Sequence, residues 1–262
     1  MKFPGSVQAV VLGGGPVEDL PLEAGDRPLS KGWVQVGGQP MARRTCEAVI
    51  QAHRVSAVHL VLPGQPDWPG VDVCVEPESD LMGSFEAGVR SCKVEDDPVL
   101  VCCGDLPFVS AESVDDFVLR CARRPQASLW YGFLRQENSL RRYPYLPHTW
   151  ARFQDGTFCG SGVMMLRPRV MHSMRQAMER LTQARKNMFK LAGCLGWGNL
   201  LNYLLGRLTV ARAEKAGTSL FQVPCAGVET PYAELGFNID DAASLLEARR
   251  ILEEAGEPCL IK

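Results

Sequence analysis

Three observations predict an α/β fold, a three-layer α/β/α sandwich around a mostly parallel sheet. Short apolar runs alternate along the chain with segments of helical periodicity, the order a parallel sheet requires. Two of these runs, Val7–Leu12 and Val99–Cys103, are continuously apolar rather than alternating, as strands covered on both faces are. Both stop abruptly at glycine, Gly13-Gly14-Gly15 after the first and Gly104-Asp105-Leu106-Pro107 after the second.

Element by element, Val7–Leu12 reads as the first strand. Met41–His53 reads as a helix with Ala42, Cys46, Val49 and Ile50 on one face. Ala57–Leu62 and Asp72–Val75 are the next strands, and Ser84–Ser91 the next helix. Val99–Cys103 is followed by Ser110, a helix N-cap, and a helix over Ala111–Ala122 with Glu112 in its first turn. Ser128–Phe133 and Val163–Leu166 are further strands, and Gln154-Asp155-Gly156-Thr157 is a turn between two strands. In Met188–Val210, the leucines at 191, 195, 200, 201, 204, 205 and 208 suit two helices, as core, lid, dimer surface or a contact for a lipid-like acceptor.

Composition narrows the function classes. At 262 residues the chain is large for one α/β core, and a single domain over 1–262 is expected. A formal net charge of -2 gives no footprint for nucleic acid. Neither a secretory signal nor an integral membrane segment is expected, so the reading is cytoplasmic. The ten cysteines include no Cys-x-x-Cys pair, which argues against zinc and for thiols packed as small apolar groups in a reducing compartment. His53, His59, His148 and His172 are scattered and without obvious partners.

The chemistry is written at the two strand ends. Glycines let backbone N–H groups approach a phosphate chain, and Lys31 beyond them supplies countercharge; the plain alternative is a tight turn. Neither a P-loop nor a dinucleotide fingerprint is present, because Lys31 is too far from Gly13 and Glu18 stands three beyond Gly15. Asp105 is a hard oxygen donor at the carboxyl end of a buried strand, suited to Mg²⁺ or to capping a turn.

Taken in order, Val10-Val11-Leu12-Gly13-Gly14-Gly15, then Lys31 through Gly38-Gln39-Pro40-Met41, then Gly104-Asp105-Leu106-Pro107, and finally Phe237-Asn238-Ile239-Asp240 resemble the nucleotidyltransferases of the GT-A type. Most similar is the group that includes molybdenum-cofactor guanylyltransferase and the cytidylyltransferase of the methylerythritol-phosphate pathway. The resemblance runs from Val7 to Leu252. It implies a GT-A, Rossmann-like sheet and a Mg²⁺-dependent transfer of NMP from an NTP to a small phosphorylated metabolite or cofactor precursor, with release of pyrophosphate. It also implies catalytic roles for Lys31 and Asp105, and a nucleotide site of Leu12, Gly13, Gly14, Gly15, Lys31, Pro63, Gly83 and Ser84. Asp105 and Asp240 would take the metal, Asp240 from a late strand end at Asn238-Ile239-Asp240. Residues 135–210 would form the acceptor side, with Gly160, Ser161 and Lys186 touching the acceptor; for Gly160 the bland alternative is a glycine-kinked strand. Arg141, Arg142, Tyr143 and Tyr145 are expected as an anion-binding surface.

Three departures from the family pattern stand out. The loop before Lys31 is long and carries Glu18, Asp19, Glu23 and Asp26 with only Arg27 basic. Gln39 replaces a common lysine, and Asn238 a common aspartate. Gln39 and the long acidic loop motivate a second reading, a nucleotide-binding regulatory protein without turnover; a sugar-nucleotide glycosyltransferase is a third. Acceptor, donor base and oligomeric state, including a homo-oligomer, stay open.

Overall fold

The computed structural model describes residues 3–17, 20–22, 27–184 and 196–255. Its strands are β1 (Val7–Leu12), β2 (Gln35–Val36), β3 (Gln39–Pro40), β4 (Val55–Val61), β5 (Val73–Val75), β6 (Val99–Cys103), β7 (Leu129–Arg135), β8 (Ala151–Phe153), β9 (Gly156–Leu166) and β10 (Cys225–Thr230). The helices are α1 (Met41–Gln51), α2 (Leu81–Ser91), α3 (Ala111–Ala122), α4 (Gln136–Arg142), α5 (Met171–Ala184), α6 (Trp197–Leu204), α7 (Val210–Phe221) and α8 (Ala242–Glu254).

Eight strands form one sheet in the order β5-β4-β1-β6-β9-β7-β10, with β8 hydrogen-bonded to β9. The β5–β4–β1–β6 and β7–β10 pairings are parallel, and β9 runs antiparallel to both β6 and β7. Successive side chains point to opposite faces, so the continuous apolar strands serve two cores at once. Val7, Ala9 and Val11 with Leu100 and Cys102 pack beneath α1 and α3, against Cys46, Val49, Phe117 and Val118. Val10, Val99 and Val101 pack against Phe85 and Val89 of α2 and Met174 of α5. That double burial is why these runs show no polar alternation.

The predicted elements fall within a few residues of those observed through Ala122. Three differences have local causes. The helix predicted from Ser84 starts at Leu81, because the Asp80 carboxylate caps it by accepting from the Gly83 amide at 2.8 Å. The strand predicted at Val163–Leu166 begins at Gly156, since its glycine-rich half still pairs with β7 across a register shift between Tyr131 and Phe133. The Asn238-Ile239-Asp240 stretch is not a strand end: it is irregular backbone pinned by the Ile239 amide donating to the Asp105 carbonyl at 3.1 Å. The predicted turn at Gln154–Thr157 joins β8 to β9, whereas β2, β3, β10 and the helices α4, α5, α7 and α8 carried no prediction. Of the two helices expected in Met188–Val210, α6 is seen at Trp197–Leu204; the stretch 185–195 lies outside the described residues.

Among the described residues, no helix is long and apolar enough to cross a membrane, and no cysteine is in a disulfide. Burial pushes the Cys92 and Cys102 thiols up to about 12, in keeping with packed, inert sulfur.

Candidate active site

The strand order places the site. Going from β1, the chain continues to β4 on one side, while β6 lies on the other, so the connections diverge between β1 and β6. Ligands of open α/β sheets settle in the crevice outside the carboxyl ends at such a point. Here those ends are Gly13 and Gly104, and the Gly104 amide donates to the Leu12 carbonyl at 2.8 Å. A β-carbon on Gly104 would stand 2.8 Å from that same oxygen, so only glycine lets the two strand ends meet.

The lysine follows from the glycine loop's own hydrogen bonds. The Lys31 amide donates to the Gly15 carbonyl at 2.7 Å and the Gly32 amide to the Gly13 carbonyl at 3.0 Å. Buried Ser30 adds its hydroxyl to the same Gly13 oxygen at 2.8 Å. A residue far down the chain is thereby folded back onto the three glycines. Its ammonium donates to a carboxylate oxygen of Asp105 and to Asp240 Oδ1 at 2.7 Å.

Asp240 reaches the lysine because its neighbours are anchors. Phe237 and Ile239 are wholly buried in a second core with Met41, Tyr143 and Leu245, which turns Asn238 and Asp240 the other way. The Asp240 amide donates to the Ser244 hydroxyl at 3.0 Å, and Asp241 caps α8 through a capping box with Ser244. Asn238 donates its side-chain amide to Asp105 Oδ1 at 2.9 Å. Lys31 and Asp105 side chains are nearly buried, at 14% and 12% exposure, whereas Asp240 is open at 74%. Burial pulls the Lys31 ammonium down, but its two carboxylate partners outweigh it and hold it above its ordinary range.

These groups border a cleft of about 790 Å³. Of the expected nucleotide residues, Leu12, Gly13, Gly14, Gly15, Lys31 and Ser84 line it, as do Asp105 and Asp240. Pro63 and Gly83 do not. The Pro63 carbonyl accepts from the Trp33 indole at 2.9 Å, and Gly83 sits in the first turn of α2. Glu78, Asp80 and Leu81 also line the cleft without having been expected there; Asp80 is the N-cap at the head of α2.

The acceptor residues fare differently. Gly160 lies on a separate apolar cavity, and the Ser161 hydroxyl bonds to its own strand at the Val163 carbonyl, 3.2 Å away. Lys186 lies outside the described residues, as do Glu18, Asp19, Glu23 and Asp26. The expected anion surface is corrected in part: Tyr143 is buried, ringed by Phe108 and Phe237. Arg27 is exposed and not part of the cleft lining. Gln39 donates to Glu47 of α1 at 3.2 Å and likewise stands outside it. None of the four histidines lines the cleft; His59, for one, lies between Gln8 and Ser91, at 2.9 and 2.8 Å.

The fold is shared with several solved structures. A hypothetical transferase from Thermus thermophilus has 29% sequence identity over 92% of this chain and 99% of its own, with a TM-score of 0.77. CMP:2-keto-3-deoxy-manno-octonic acid synthetase, solved with CTP, shares the fold at a TM-score of 0.58 and 12% identity, over 95% of this chain and 99% of its own. The 2-C-methyl-D-erythritol 4-phosphate cytidylyltransferase of Thermus thermophilus does so at 0.52 and 17%, with the same coverage. No curated protein matches the chain. The MobA-like NTP transferase domain matches residues 9–191, and the chain belongs to that family.

Proposed function

We propose that the protein transfers a nucleoside monophosphate from an NTP to a small phosphorylated acceptor, releasing pyrophosphate. An acceptor oxygen attacks the α-phosphorus, and the bond from that phosphorus to the leaving pyrophosphate breaks. The single observation that carries the reading is Lys31, held by the glycine loop's own hydrogen bonds with its ammonium between Asp105 and Asp240. Transfer of this kind needs positioning and charge neutralisation more than covalent chemistry.

In this reading Gly13, Gly14 and Gly15 offer backbone N–H groups to the phosphates, and Lys31 turns from its carboxylates toward them. The donor set fits Mg²⁺: two carboxylates, one open to solvent, match an ion that keeps few protein ligands and takes the rest from phosphates and water. Asp105 and Asp240 would hold it, with Asn238 steadying Asp105. Magnesium would supply neutralisation of the growing charge on pyrophosphate. Gln39, which motivated the reading without turnover, is tied to Glu47 outside the cleft and removes nothing from this constellation.

The test is a thermal-shift panel of ATP, GTP, CTP and UTP, each with and without Mg²⁺, on the native chain and on Asp105→Asn. A ligand that binds only the folded state raises apparent stability by mass action. One NTP is expected to raise the native midpoint in a Mg²⁺-dependent way, with that dependence lost in Asp105→Asn, which keeps the side chain's shape. A panel with no shift for any NTP would refute the reading.

A further inference from the structure

Beyond the nucleotide cleft, a second cavity of about 360 Å³ lies between α7 and the sheet face formed by β7, β9 and β10. Leu129, Phe133, Phe153, Phe158, Val210 and Phe221 give it an almost wholly apolar wall. The charge at its edge is already used: Glu214 binds Arg124 through two bonds of 2.9 and 3.0 Å and accepts from the Gly227 amide at 2.8 Å. An engineered apolar void of about 150 Å³ takes up benzene, so this one has room for a larger hydrocarbon group.

The cavity adjoins the chemistry through one strand. Gly160 of β9 lines the cavity, and the Tyr131 hydroxyl occupies the space a β-carbon there would fill. Two residues on, Gly162 faces Asn238, which holds Asp105; a β-carbon on it would stand 2.9 Å from the Asn238 amide nitrogen. Two strand residues span about 7 Å. The apolar space is therefore one short strand segment away from the carboxylate cluster.

Resting on the transferase reading above, we infer that the acceptor is an amphiphile: a phosphate monoester whose alkyl or aryl group fills the cavity lined by Tyr131, Phe133, Phe158 and Phe221 while its phosphate faces Asp105. Burying one methylene is worth about a fourfold gain in affinity.

The probes are n-alkyl phosphates from ethyl to octyl, titrated calorimetrically into the full chain. Pyrophosphate release from the NTP found in the panel is measured alongside. Affinity is expected to climb about fourfold per methylene until the cavity is full, with pyrophosphate release following it. Gly217→Leu, which projects from α7 into the cavity, should flatten the series and leave NTP stabilisation unchanged. It is expected to fold, because glycine is a poor helix residue and its nearest neighbour is Cys225 at 3.6 Å; Ala213→Leu is the second variant. Affinity independent of chain length, or a gain that survives both variants, overturns the inference while NTP stabilisation leaves the transferase reading intact. Absence of NTP stabilisation overturns both.

Discussion

Lys31 is the residue on which the site's electrostatics turn. Its ammonium serves two carboxylates, one nearly buried and one exposed, and its removal leaves Asp105 without a cation in a poorly solvated place. Breaking a buried pair from one side is costly because the remaining charge is uncompensated. Lys31→Met, which keeps the aliphatic stem, is expected to lower stability in urea unfolding by on the order of 3 kcal/mol. It is also expected to abolish the NTP-induced thermal shift. The exposed i,i+4 pair between Arg43 and Glu47, at 3.0 Å, is the contrast; deleting it is worth at most a few tenths of a kcal/mol.

At the level of elements, the site is where the ends of β1 and β6 touch, and Gly104 sets how closely they do. A methyl group there would meet the Leu12 carbonyl oxygen at 2.8 Å and the Gly13 Cα at 3.0 Å, both backbone atoms that move only if a strand moves. Gly104→Ala is expected to cost about 1–3 kcal/mol, the range for forced overpacking. Because the displaced atoms belong to the glycine loop, NTP stabilisation should fall as well, and thermal shift with and without nucleotide separates the two losses. Much of this was legible in the residues: the glycines, Lys31, Asp105 and Asp240 were all marked by their place after apolar strands or by family pattern. Pro63 was marked too and misses the cleft, since a loop's position in sequence does not say which way it turns; Gly83 misses it from the first turn of α2. The wall formed by Glu78, Asp80 and Leu81 went unread because a capping aspartate looks the same whether or not its helix faces a ligand.

For the molecule as a whole, stability should depend on pH through histidines that the fold holds neutral. Burial lowers the His59 imidazole below its ordinary value, and burial does the same to His148. The unfolded chain then takes up protons near the ordinary histidine pKa of about 6.5 while the folded one resists them. Stability is fully present above that value and is lost as the pH falls below it toward the depressed folded values. Urea midpoints measured from about pH 8 to pH 5 should therefore decline, and His59→Gln should decline less steeply than the native chain. An identical slope in the variant would mean that His59 is not held neutral.

What the sequence determined by itself was the layering, most of the first six strands and helices, and the glycines that end the two buried strands. Those features are encoded locally, in apolar runs of strand length, helical periods and glycines at strand ends. The tertiary structure alone decided which residues share the cleft. Asp105, Lys31 and Asp240 meet because the strand order diverges between β1 and β6 and because Phe237 and Ile239 are buried in a core that the neighbouring sequence does not announce. It decided as well that the glycine-rich half of β9 has its glycines making room for Tyr131, Leu106 and Asn238. Contacts between residues so distant in sequence depend on how whole elements pack, which no local pattern records.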